Sequence, residues 1–219
     1  KINLMYGFNH RHHESIKKIL KIIASKKYGK ILWIRGRYGK PIDDNYLQGW
    51  RGDLEKSGGG ILIDQGIHML DLFRYFCGDF DEIKSFVSKK FWNLDVEDNA
   101  YALLRDKKGR VAMIHSSATQ WQHTFKLEIT FESGYLQLSG ILSGTKSYGQ
   151  EKLLIIPRIE TSSVGSLQKN EFNYLNDNSW NNEIIEFVDI IKNNKKVKVG
   201  NSYDALKVME LVYAIYDND

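Results

Sequence analysis

Apolar and polar positions along the chain change period repeatedly, alternating strands and helices before a long stranded stretch and two closing helices. Ile2 to Phe8 reads as a short opening strand. From His10 to Lys27, Ile16, Ile19, Leu20 and Ile23 recur at helical spacing with lysines opposite, which predicts an amphipathic helix ended near Tyr28 and Gly29. Lys30 to Tyr38 alternates as a strand does, and Pro41 closes it. A long polar loop then runs to Gly60 and carries Tyr46, Trp50 and Arg51. Gly60 to Cys77 is helical again, with Leu62, Met69, Phe73 and Phe76 on its buried side and Gly78 as its stop.

From Asp81 the period becomes two. Ile83 to Lys89, Glu97 to Arg105, Arg110 to Ser117, His123 to Glu132 and Gly134 to Leu138 predict neighbouring strands, with DKKG and ESG as turns. Glu151 to Ile156 adds a strand stopped by Pro157, and Arg158 to Asn178 reads as a polar surface excursion. Two helices close the chain. Trp180 to Ile191 carries Ile184, Phe187, Val188 and Ile191 on one face, and Ser202 to Ile215 carries Ala205, Val208, Met209, Val212 and Ile215. The pattern predicts an α+β fold: a large open, mostly antiparallel sheet with helices packed on one face.

A length of 219 residues with 42% hydrophobic content supports a packed core. The net charge of +4 comes from 31 basic and 27 acidic residues mixed along the chain. The densest lysine cluster, Lys17 to Lys30, falls largely on one amphipathic helix and reads as a solvated face, so no nucleic-acid partner is expected. A single cysteine, Cys77, excludes an internal disulfide and points to a reducing compartment. No apolar run has the length of a membrane span and no signal-peptide pattern is present, so the expected location is cytoplasmic. The sheet should leave Val111, Met113 and nearby aromatic residues uncovered unless a second copy packs on them, which predicts a homo-oligomer.

The chemistry concentrates between Ser57 and Asp71, SGGGILIDQGIHMLD. In a helix starting near Gly60, Asp64 and His68 stand at i and i+4 on one face, and Asp71 and Tyr75 continue it. A carboxylate beside an imidazole can orient a substrate hydroxyl and handle its proton, and the glycine triplet permits close approach at the helix entrance. The same spacing also fits two buried polar groups satisfied at a packing seam. Trp50 with Arg51 offers an aromatic platform and a guanidinium suited to a sugar or nucleotide diphosphate, and Trp50 equally fits a packing anchor that holds the loop closed. His10, His12 and His13 lack a closed ligand spacing, so no metal is expected.

The segments YGFNHR, GRYGKP, GWR, GGGILIDQGIHMLDLFRYFCGDF, VEDNAYALL, SSATQWQHTFKLEITFESGYLQLSG and SYGQEKLL resemble the carboxy-terminal region of the glucose-fructose oxidoreductase and inositol dehydrogenase family, over essentially the whole chain. The resemblance implies an amino-terminal nucleotide domain holding NAD or NADP and a carboxy-terminal domain that binds a sugar substrate, possibly nucleotide-linked. On that pattern residues 1–8 are the last strand of the nucleotide domain and 9–219 are the substrate-binding and oligomerisation domain. The chain holds neither the G-x-G-x-x-G fingerprint nor the family's E-K-P lysine motif, so by itself it is expected not to turn over substrate. The resemblance assigns Asp64 to the substrate hydroxyls and His68 to the carbon being oxidised, as a partner base or a hydrogen-bonding group. It also makes Asn9 and Arg11 candidates for substrate or interdomain contact, Gln120, Trp121 and His123 for substrate contact, and Lys40 for the nicotinamide or its phosphate. The alternatives are a non-enzymatic ligand-binding or assembly domain of the same fold, and metal-assisted sugar chemistry at Asp64 and His68.

Overall fold

The computed structural model describes residues 2–158 and 168–219. After a 3-10 turn at Asn9–His12, the chain forms helix α1 (Glu14–Ser25) and strand β1 (Ile31–Pro41). Two short helices follow, α2 (Asp44–Gln48) and α3 (Leu54–Ser57), then a π-helical turn at Leu62–Gly66 that runs into α4 (Ile67–Cys77). The stranded middle comprises β2 (Glu82–Ser88), β3 (Asn99–Arg105), β4 (Val111–Ser117), β5 (Thr119–Phe131), β6 (Gly134–Ser139), β7 (Glu151–Pro157) and β8 (Asn170–Tyr174). Helices α5 (Ser179–Lys192) and α6 (Ser202–Asp217) end the chain.

The eight strands form one sheet in the order β2-β3-β4-β1-β5-β6-β7-β8. Every neighbouring pair is antiparallel except β1 with β4. The architecture is the expected open α+β layer, but β4 and β5 are not neighbours. Strand β1 enters between them, pairing Tyr38 with Ser116 on one side and Phe125 on the other.

Alternation places Ala100, Ala102 and Leu104 of β3 and Ala112 and Ile114 of β4 under the helices. Helix α4 sinks Met69, Leu70, Leu72 and Phe73 fully into this layer. Gly36 on β1 permits the approach, since a Cβ there would stand 2.5 Å from Met69 Cγ. Ile16 and Ile19 of α1 and Val208, Val212 and Ile215 of α6 complete the core. The opposite face is uncovered: Phe86 is 78% and Met113 44% exposed, with Trp33, Tyr101, Leu103 and Val111 beside them. Cys77 is buried, and burial raises its thiol to about 11, which suits a packing role.

Several expectations are corrected. Residues 2–8 form no strand; among the described residues they have no strand to pair with, and Tyr6 N–H instead donates to Gly200 O. The 170–174 part of the expected surface excursion is β8, paired to β7; residues 159–167 lie outside the described residues. The loop before Gly60 is largely short helices, two of them started by aspartates: Asp43 accepts from Tyr46 N–H and Asp53 from Glu55 N–H.

Helix α5 is inverted relative to its pattern. Ile184 is 57% exposed, with Val188 and Ile191 also in solvent, while Ser179, Glu183 and Ile190 are buried. The inward side meets the polar 3-10 turn: Asn9 Nδ2 donates to Ser179 Oγ at 3.4 Å and Asn182 Nδ2 to His12 O at 3.4 Å.

Candidate active site at the open end of beta1

The glycine triplet serves packing. Gly60 N–H and Leu62 N–H donate to Glu97 Oε2 and Oε1 at 2.6 and 2.8 Å, so a buried carboxylate holds amides at the entrance of the π turn. A Cβ on Gly60 would lie 2.1 Å from Glu97 O, so the close approach foreseen at this position is to the chain's own backbone. The π turn that follows replaces the regular helix expected from Gly60 and presents Asp64 and Gln65 at the end of β1.

Asp64 is clamped by two cations. Lys40 Nζ donates to its Oδ2 at 2.6 Å and Arg51 Nε to its Oδ1 at 3.0 Å. Burial alone raises this carboxyl, but Lys40 and Arg51 outweigh it and hold Asp64 below the usual range, an anion at neutral pH. Arg51 stacks on Trp50, which is 53% exposed, and Lys40 lies over the Tyr46 ring.

One turn on, His68 is half-buried. Its ring stacks on His10 with centroids 4.3 Å apart and planes 20° from parallel, and its Nδ1 is sealed without a hydrogen-bond partner. Burial lowers His68 to about 4, with Asp64 pulling the other way. The face shared by Asp64, His68, Asp71 and Tyr75 is thus open only at its first half. The 3-10 turn covers the remainder: Arg11 clasps Asp71 at 2.6 and 2.8 Å, reaches Asp204 at 2.8 Å and lies over Tyr75.

Strand β5 completes the mouth with a bulge. Thr124 pairs with Gly39 and Thr119 with Pro41, so Gln120 to His123 loop out opposite the single residue Lys40. Trp121 adopts φ 54° and is 60% exposed, its indole edge-on to Phe91 and Trp92. His123 sits 4.8 Å from the Tyr148 ring, and burial and then Lys40 lower its pKa. Tyr148 donates to Gln65 Oε1 at 2.7 Å and packs against Tyr38.

Asp64, His68, Lys40, Arg51, Gln120 and His123 therefore converge on one end of the sheet. Trp50 and Trp121 stand at its rim, and Asn9 and Arg11 lie buried below it. Gln65, Tyr148, Tyr38 and His10 belong to the same cluster and were not singled out as site residues. Tyr148 lies within the SYG element, and Gln65 between the aspartate and the histidine. Among the described residues no group of three or more His, Cys, Asp and Glu side chains is placed to hold a metal, and no helix is long and apolar enough to cross a membrane.

The GFO/IDH/MocA C-terminal domain model matches residues 16–137, and the chain belongs to that family. Levoglucosan dehydrogenase from Pseudarthrobacter phenanthrenivorans is 26% identical over 155 residues, 58% of this chain and 39% of that protein. Myo-inositol 2-dehydrogenase from Thermotoga maritima is 28% identical over 121 residues, 52% of this chain and 34% of that protein. The chain thus spans well under half the length of these curated relatives. Among solved structures, levoglucosan dehydrogenase in complex with NADH and levoglucosan gives a TM-score of 0.84 at 19% identity, covering 99% of this chain and 64% of that chain. Aldose-aldose oxidoreductase from Caulobacter crescentus complexed with glycerol gives 0.81 at 20% identity, covering 99% and 61%. At these identities the structural likeness carries the fold.

Proposed function

We propose that the chain is the substrate-binding part of an NAD(P)-dependent oxidoreductase acting on a secondary hydroxyl, or the corresponding ketone, of a sugar. The observation that carries this is the doubly clamped Asp64 carboxylate one helical turn from His68, at the end of β1 where Lys40, Arg51 and the β5 bulge meet. A fixed anion accepts hydrogen bonds from sugar hydroxyls, the imidazole addresses the reacting oxygen, and exposed indoles suit the apolar faces of a sugar ring. The relatives support it, two being named as a levoglucosan dehydrogenase and a myo-inositol 2-dehydrogenase. The Trp50–Arg51 pair at the rim favours a substrate with an attached phosphate or nucleotide.

The chain's own residues do not fit a dinucleotide. The sequence has no G-x-G-x-x-G turn, and Lys40, the candidate for cofactor contact, is engaged with Asp64. We assign the cofactor to a nucleotide-binding domain of the same polypeptide, with residues 1–8 leading from it into the substrate domain at residue 9. The outward apolar stripe of α5, together with exposed Leu4 and Tyr6, supports a covering domain there. Val111, Met113 and the aromatic side chains of the uncovered sheet face support self-association of the substrate domain.

The test is the full-length protein assayed with NAD and NADP against a panel of sugars, polyols and nucleotide sugars. Cofactor reduction that depends on one substrate class, lost in Asp64→Asn, is the expected result. Tight sugar binding with no turnover by either cofactor would sink the redox assignment and establish the binding-domain alternative.

A further inference from the structure

His10 has both edges held. Its Nδ1 lies 3.1 Å from Asn9 Oδ1 and its Nε2 3.2 Å from the Tyr38 hydroxyl. An amide oxygen only accepts, so Nδ1 carries the His10 proton and Nε2 accepts from Tyr38 O–H. Tyr38 is suited to donate, because burial, and then Tyr148, hold its phenol well above the usual range. His10 is thereby a neutral ring in a fixed plane, stacked 20° from the plane of His68 with centroids 4.3 Å apart.

His68 has one proton to place when neutral. On the sealed Nδ1 an N–H would be a buried donor with no acceptor. Nδ1 is unpaired in either tautomer, but an orphaned buried N–H is rarer than an unpaired acceptor, and Nε2 is not among the buried unpartnered atoms, so the proton belongs on Nε2. A second proton is opposed by burial of the ring. His10 stacks on the ring from the 3-10 turn, with His13 beside His10, while β1 brings Tyr38 and the Lys40 ammonium to the same cluster and Tyr148 packs behind Tyr38. Asp64, on its own helix, is the one group that favours protonation, and its charge is already engaged by Lys40 and Arg51.

Resting on the reading of this cleft as the substrate site, we propose that His68 acts as a neutral Nε2–H hydrogen-bond donor to the substrate oxygen and not as the group that takes its proton. His10 is then a positioning residue, whose stacked ring fixes the His68 plane and keeps the imidazole uncharged. Burial adds to this, holding His68 near 4 and His10 well below its usual value.

Two readouts test it in the full-length protein. The first is the ring ¹⁵N spectrum of labelled histidine, with His68 assigned by its loss in His68→Gln. The expected result is a neutral Nε2–H tautomer from pH 6 to 8, retained in His10→Phe, which keeps a ring in place. In His10→Ala the apparent pKa should rise by about one unit or more. An imidazolium or an Nδ1–H tautomer in the wild type at pH 7 overturns the proposal, as does an unchanged titration in His10→Ala.

The second readout is turnover. A donor role predicts that His68→Gln, which retains an N–H, keeps about a tenth or more of kcat, while His68→Ala loses about a hundredfold. Equal loss in both variants marks His68 as the base and overturns the proposal. If no sugar is oxidised yet the spectrum shows the neutral Nε2–H form, the dehydrogenase reading fails while the assignment of His10 and of the His68 tautomer stands.

Discussion

Lys40 and Asp64 form an ion pair at 2.6 Å between the end of β1 and the π turn, tying the central strand to the helix that carries His68. Both side chains retain 16% of their exposure, so the pair borders the cleft and is not sealed in the core. Asp64→Asn removes the anion and leaves two cations unopposed. In the full-length protein, kcat/KM for the sugar is expected to fall by about a hundredfold, with stability changed by no more than about 1 kcal/mol. Steady-state kinetics beside a denaturant titration measures both.

Arg11 and Asp71 are a different kind of pair, with side chains 3% and 1% exposed. Burial pushes the Asp71 carboxyl above its usual range against the pull of Arg11. Arg11→Met strands that carboxyl and is expected to cost about 3 kcal/mol or more. The loss should be larger at pH 8 than at pH 5, because an unpaired buried aspartate avoids its penalty by protonating. If Arg11 instead contacts substrate, KM will rise with the denaturation midpoint unmoved.

Buried imidazoles make the protein acid-sensitive. His12 and His68 are each lowered from 6.5 to about 4, chiefly by burial. The unfolded chain therefore binds more protons than the folded one between these values. Their contribution to stability is fully present above about pH 6.5 and is lost as pH falls toward 4, on the order of 2–3 kcal/mol for His68 and less for the more solvent-screened His12. Melting temperature followed from pH 7.5 to 4 should decline across this window, and His68→Gln should flatten part of the decline.

The uncovered sheet face yields a prediction about assembly. Met113→Lys together with Leu103→Lys places two charges among Phe86, Tyr101 and Val111. Light scattering of the full-length protein is expected to show an oligomer in the wild type and a smaller species in the double variant, with the circular dichroism spectrum retained. An unchanged mass would remove this face from the interface.

What could be read in advance followed from local chemistry. Alternation placed Ala100, Ala102 and Leu104 opposite Tyr101 and Leu103, and helical spacing placed Asp64 with His68 because both signals repeat within a turn or two. The insertion of β1 between β4 and β5 depends on pairing between residues distant in sequence, which periodicity does not encode. The stripe on α5 was visible as a stripe, but amphipathicity does not say which side meets the domain. Here hydrogen bonds to the Asn9–His12 turn drew the polar side inward. Arg11 finds Asp71 across the fold, and no spacing rule links them. Tyr148 went unassigned as a site residue because its place against His123 and Gln65 arises only after β5 is seated beside β1 and β6 and β7 follow it across the sheet.

Strand β1 lies near the start of the chain but has its partners at 111–117 and 119–131. During synthesis it must wait, exposed and apolar on one side, until those segments leave the ribosome, whereas β2, β3 and β4 can zip together locally. Lys40, at its end, can reach Asp64 in final register only once this late closure is made. Competence to hold a ligand is therefore expected to be among the last properties acquired on refolding, and among the first surrendered when the middle of the sheet loosens.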